Sequence, residues 1–191
     1  MIRPKSLLSE VVLPALVTIL LLGNQGCRQK EAYRVLIETP LGEIVAAVYT
    51  EQAPISANNF LDLVDLQLYD GATFYRVTRD DNQPDQAVKI DVIQGGLRDG
   101  EPVTLPPIVH ETTQVTGLRH LNGTLSMARS EPGTATSEFF ICIGDLPELD
   151  FGGRRNPDGV GFAAFGRVVS GMEIVQAIQK LQDRGQYLIE P

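Results

Sequence analysis

Cysteine, histidine and basic charge are the scarce features of this 191-residue chain. Two cysteines, Cys27 and Cys142, are too few for the disulfide framework of a small secreted scaffold. Cys142 falls in an aromatic strand pattern, where a free cysteine usually serves as a small apolar residue. The two histidines, His110 and His120, have no cysteine beside them, so no metal site is expected, and Glu111 next to His110 does not supply one. No G-x-S-x-G elbow, phosphate-binding loop or H-E-x-x-H helix occurs. Basic residues number 16 against 24 acidic ones, a net charge of −8. That balance argues against nucleic acid as a partner and against electrostatic attachment to anionic lipid. There is no internal repeat and no low-complexity tract. The long apolar run from Val11 to Leu22 is too short to span a bilayer.

That run instead suits the apolar region of a signal peptide, with Arg3 and Lys5 as its positive start. Gly26 then precedes Cys27. The order resembles a bacterial lipoprotein signal, which implies a lipidated Cys27 as the new N-terminus, although Asn24 and Gln25 depart from the usual residues. Residues 1–27 are therefore read as the signal, 28–32 as a tether and 33–191 as one domain with enough chain for a full core. Removing residues 1–26 takes away Arg3, Lys5 and Glu10, leaving 14 basic and 23 acidic residues and a charge of −9. The expected location is the periplasmic side of a bacterial membrane, held by lipid alone.

Within the domain, Tyr33 to Glu38 and Glu43 to Tyr49 alternate as strands around a Thr39–Gly42 turn. Ala57, Phe60, Leu61 and Val64 form the apolar stripe of a helix running to about Asp70-Gly71. Thr73 to Val77 is a strand expected to hold Phe74 and Arg76 on one face. Thr78 to Val88 is a polar insert, and Lys89 to Gln94 a strand. Ile108 to Glu111 reads as a short strand and Thr112 to Leu121 as irregular. Asp145 to Asp158 is a loop, Phe162 to Val169 a strand, and Met172, Val175 and Ile178 mark a second helix. Tyr187 to Ile189 is a last strand. The pattern is mainly β, a barrel or sandwich with helices over its ends.

The stretch from Gly123 to Ile143 carries the clearest signal. Strand alternation puts Glu138, Phe140 and Cys142 on one face and Phe139, Ile141 and Ile143 on the other. A carboxylate beside an aromatic ring suggests a small binding site. Gly123, Leu125, Ser126, Met127 and Ala128, followed by Phe139, Phe140 and Ile141, resemble the G-x-L-S-M-A … F-F-I pattern of the cyclophilins. Phe74-Tyr75-Arg76-Val77 and Gln94-Gly95-Gly96 match that family's F-H-R-V … Q-G-G block. The resemblance runs from about Tyr33 to the C-terminus. It implies a closed eight-stranded antiparallel β-barrel capped by two α-helices, peptidyl-prolyl cis–trans isomerase activity, no cofactor, and a monomer that acts on proline-containing polypeptides.

It also implies roles residue by residue. Arg76 is the catalytic donor. Gln94 bonds Arg76 or the substrate carbonyl. Phe140, Met127 and Leu149 line a proline pocket, with core packing as the ordinary alternative for Phe140 and Leu149. Ala128 and Arg129 offer backbone groups to an extended peptide. Glu138 replaces the usual glutamine and is placed to pair with Arg76. Phe162 stands where others have histidine and adds apolar area. Two departures motivate an alternative, a peptide-binding or chaperone module with little isomerase activity. Asp91 falls where relatives have a phenyl wall, and Glu148 where many have the aromatic associated with cyclosporin. Glu138 and Glu148 as an acid/base pair is a weaker reading than ordinary surface charge.

Overall fold

The computed structural model describes residues 32–97 and 105–190. The signal segment, Cys27 and the tether at 28–31 lie outside the described residues. Nine antiparallel strands follow one another in a single sheet, in the order β1-β2-β7-β5-β6-β4-β3-β9-β8. They are β1 (Tyr33–Thr39), β2 (Gly42–Val48), β3 (Thr73–Thr78), β4 (Val92–Gly96), β5 (Thr124–Met127), β6 (Phe139–Cys142), β7 (Ala163–Ser170), β8 (Asp183–Arg184) and β9 (Tyr187–Leu188). Three α-helices accompany them: α1 (Pro54–Asp65), α2 (Thr113–Thr116) and α3 (Met172–Gln179). None is long and apolar enough to cross a membrane.

The mainly-β expectation holds, with a ninth strand and a third helix added. Among the described residues the ladder does not return from β8 to β1 by hydrogen bonds, so the pairing is open where a closed barrel was expected. An apolar cleft of about 860 Å³ lies along that side, with Val35, Ile37, Phe74, Phe139 and Ile178 in its walls. The remaining differences are local. Residues 108–111 form no strand, and α2 replaces part of the irregular stretch. Strand β4 begins at Val92 rather than Lys89, and α1 ends at Asp65, before Gln67 turns to a φ of 56°.

One face of the sheet closes over a core centred on Phe60 of α1. Its ring lies 5.2 Å from Phe139 and from Phe165, and 5.3 Å from Tyr69. Leu125, Met127, Ile141, Ile93 and Val77 fill the same core from successive strands. Met127 is therefore a core residue, not part of a proline pocket. The cause is strand alternation: Met127 pairs with Phe139 and turns inward with it, while Ser126 and Phe140 turn outward.

Helix α1 starts on a long-range cap. The carboxylate of Glu111 accepts the N–H of Ile55 (3.1 Å), the N–H of Ser56 (2.6 Å) and the Ser56 hydroxyl (2.7 Å). The two N–H groups are orphan donors at the positive end of the helix dipole, where a carboxylate is favoured.

Candidate active site

Pairing register sets out the second face. Arg76 lies opposite Gln94, Gln94 opposite Phe140, Phe140 opposite Ser126, and Ser126 opposite Ala164. These five residues form one row across β3, β4, β6, β5 and β7, on the side away from Phe60. The register shifts between Phe74 and Arg76, which leaves Tyr75 as the extra residue of a bulge. Phe74 consequently packs against the core while Arg76 joins the outer row, so the expectation that they share a face is corrected.

The guanidinium of Arg76 is held from two directions. Its Nη1 donates to Gln94 Oε1 at 2.8 Å, and its Nε and Nη2 both donate to Gln186 Oε1, at 3.2 and 2.7 Å. Gln94 Nε2 donates onward to the Tyr75 hydroxyl at 2.9 Å, which in turn donates to Glu138 Oε2. Glu138 thus reaches Arg76 through Tyr75 and Gln94, rather than as the direct pair expected. Burial, and then the hydrogen bond to Glu138, push the Tyr75 phenol up, so it remains a proton donor. Gly96, at φ +145°, lies against Glu138; a Cβ there would fall 2.6 Å from its Oε1.

Beside this polar chain sits a small apolar cluster of Ile90, Val92, Phe140, Cys142 and Leu149, with Ala128, Leu146 and Phe162 against it. Phe162 meets Phe140 edge to face at 5.3 Å and 90°. Sequence reasoning placed Asp91 at this wall and missed Ile90. Ile90, Val92 and Gln94 alternate onto the site face, and Ile90 supplies the apolar area. Asp91 instead takes part through its backbone, its carbonyl accepting from Ile143 N–H at 2.8 Å.

Arg129 lies over Phe162, 5.1 Å from the ring centroid. It binds Gly161 O through Nε and Nη2, and Asp158 through both Nη atoms. Its side chain is only 1% exposed although the residue is partly exposed, so the exposed part is its main chain. Glu148 is bound by Arg154, whose side chain and backbone N–H hold its carboxyl below the usual range. Glu148 is therefore engaged in an ion pair on its own loop.

Behind Phe140, His120 Nε2 lies 2.9 Å from the Ser126 hydroxyl and its Nδ1 lies 2.7 Å from Asp150. The connectivity is that of a hydrolase triad, but Ser126 is 0% and His120 1% exposed, which denies a substrate any approach. The imidazole stacks on Phe140 at 6.0 Å. Among the described residues no group of histidine, cysteine or carboxylate side chains could hold a metal ion.

The site thus sets an oriented cation beside an apolar cluster, and the Ser126 hydroxyl near it is buried. The chain belongs to the cyclophilin-type peptidyl-prolyl cis–trans isomerases, whose family model matches residues 34–190. It is 36% identical over 181 residues to peptidyl-prolyl cis-trans isomerase A of Dickeya dadantii, covering 92% of this chain and 87% of that one. It is 34% identical over 149 residues to peptidyl-prolyl cis-trans isomerase B of Escherichia coli, covering 76% and 83%. The fold is similar to that of a cyclophilin-type isomerase from Cryptosporidium parvum, solved in the presence of the dipeptide Ala-Pro. That match has a TM-score of 0.62 at 23% identity, over 83% of this chain and 92% of the other.

Proposed function

We propose that this protein is a peptidyl-prolyl cis–trans isomerase acting on X-Pro bonds of polypeptides that fold outside the cytoplasm. In this reading it works as a monomer with a closed barrel, without cofactor, tethered to a bacterial membrane through lipid on Cys27. The observation that carries the activity is the row Arg76–Gln94–Phe140, which sets a fixed guanidinium beside an apolar cluster.

The barrier to be lowered, about 18–20 kcal/mol for an amide, comes from resonance across the C–N bond. Twisting that bond removes its charge separation, so an apolar surface disfavours the planar form more than the twisted one. In this reading the packed cluster of Phe140, Ile90, Phe162 and Leu149 supplies that apolar surface. Twisting also restores a lone pair on the proline nitrogen. Arginine carries five N–H donors. Three are engaged by Gln94 and Gln186, which leaves one on each Nη among the described residues. A donor that reaches the nitrogen only in the twisted state stabilises the transition state selectively. Such a bond to a charged group contributes about 1.5–3 kcal/mol, on the order of 10- to 100-fold in rate. Ala128 and Arg129 present main chain to an extended peptide along the same rim.

Isomerisation of a prolyl peptide tests the reading. A wild-type protein with little activity would favour a binding module; Arg76→Ala should lower kcat/KM at least tenfold, whereas an unchanged rate removes Arg76 from its role. Ile90 at the pocket weakens the case for such a module, because the wall that Asp91 was expected to spoil is apolar. Cys27→Ser should move the protein from the membrane to the soluble fraction; retention on the membrane would refute the anchor.

A further inference from the structure

The polar insert after β3 and the C-terminal hairpin meet at the catalytic arginine. Strands β8 and β9 are joined by Gly185-Gln186, with φ values of 59° and 78°. Both central residues of this two-residue turn are left-handed, a geometry that favours glycine, asparagine or aspartate. Glutamine at the second position is a backbone cost that another benefit must offset. Its side chain makes three hydrogen bonds: Oε1 accepts Nε and Nη2 of Arg76, and Nε2 donates to Asn82 O at 3.1 Å. Its backbone is held as well. Gln186 N–H donates to Asp183 Oδ2 at 3.0 Å, and its carbonyl accepts Val77 N–H at 2.8 Å. Asp183 is in turn bound by Asn82 Nδ2 at 3.1 Å and by Arg79 Nη2. The insert is folded around this point, with buried Gln83 donating to the carbonyls of Arg79 and Ile90.

We infer that Gln186 is a positioning residue for isomerisation, which holds the Arg76 guanidinium in its working orientation, with Asn82 and Asp183 as its footing. This rests on the reading of Arg76 as the catalytic donor. Gln94 fixes one Nη of the fork; Gln186 fixes Nε and the other Nη. Without Gln186 the guanidinium pivots about Gln94, and the donor that meets the proline nitrogen is spread over several directions. The consequence falls on kcat rather than on KM, because the apolar cluster is untouched.

Gln186→Gly separates this role from a structural one, since glycine relieves the left-handed backbone while deleting the side chain. We expect kcat for a prolyl peptide to fall about three- to tenfold, with KM and the denaturation midpoint little changed. Gln186→Asn tolerates the same φ but withdraws the carbonyl by one methylene, and should show the same loss. Gln186→Glu keeps an acceptor for Arg76 and should restore most of the rate. In an Arg76→Ala background Gln186→Gly should have no further effect. A full rate in both Gln186→Gly and Gln186→Asn, or an equal loss with and without Arg76, overturns the inference. If Arg76→Ala retains the wild-type rate, the reading of Arg76 fails first and takes this one with it. If Arg76→Ala is slow while Gln186→Gly is not, only the positioning role is lost.

Discussion

Residue by residue, the site depends on which of two neighbours faces it. Asp91 and Ile90 are adjacent, and a strand hides one and shows the other. The polar insert before them obscures the register in sequence, so the count back from Gln94 falls on Asp91. In the fold it is Ile90, 8% exposed, that joins the apolar cluster. Burial, reinforced by Asp80 and Asp81, raises the Asp91 carboxyl above its usual range, so its surroundings are poorly suited to a charge. The two substitutions should therefore diverge. Ile90→Ala removes pocket area and should weaken prolyl-peptide binding several-fold while costing about 2 kcal/mol or more of stability. Asp91→Asn should leave both KM and kcat within about twofold, since no part of the proposed chemistry touches it. Steady-state kinetics and urea denaturation of the pair check this, and equal KM for wild type and Ile90→Ala would return Ile90 to plain packing.

At the scale of elements, legibility follows sequence separation. The alternation of Glu138 to Ile143 was readable because neighbours along one strand decide it, and it correctly put Phe140 opposite to Phe139. The same alternation misplaced Phe74, since a bulge at Tyr75 depends on the partner strand β4 rather than on β3 itself. The resemblance places Met127 in the pocket, where the period-2 rule turns it into the core with Phe139. Gln186 carried no signal at all: it lies 110 residues from Arg76 in the chain, in a two-residue turn that composition does not mark. Glu111 gives no signal as a cap for a similar reason, being 55 residues from Ser56. Its carboxylate takes three donors at the start of α1, the helix that carries Phe60 into the core. Glu111→Ala should destabilise the fold by about 2–3 kcal/mol, because it leaves buried donors without an acceptor. Thermal unfolding measures the loss, and folded Glu111→Ala protein at low temperature should retain normal kcat. A shift of only a few tenths of a kcal/mol would mean that water replaces the cap.

For the whole molecule, the acidic composition noted at the outset acquires a direction once each carboxylate has its surroundings. Burial pushes Asp183 up, but Arg79, Asn82 and the Gln186 N–H outweigh it and hold it below its ordinary 3.8. Burial likewise opposes the His120 bonds that hold Asp150 down, and Arg129 lowers Asp158. Below pH 3.8 the unfolded chain binds protons that these folded groups still refuse. Their stabilisation is therefore present above that pH and is lost as pH falls through the depressed values. Asp91, shifted the other way, offsets part of the fall just above that window. His110 acts earlier. Burial, and then the charge of Arg129, push its imidazole below the ordinary 6.5, against weaker opposition from Asp158 and the Val160 and Gly161 backbone. Between that lowered value and 6.5 the unfolded chain binds a proton that the folded one does not. The His110 contribution is full above pH 6.5 and is lost as pH drops beneath it. The denaturation midpoint should thus be level from pH 6.5 to about 8, decline gently below that range, and drop steeply below about pH 4; above it, buried Cys142, Tyr69 and Tyr75, all pushed up, cost stability as the unfolded chain deprotonates. His110→Gln should abolish the gentle step and leave the steep one. A gentle step that survives in His110→Gln would assign the early proton to another group.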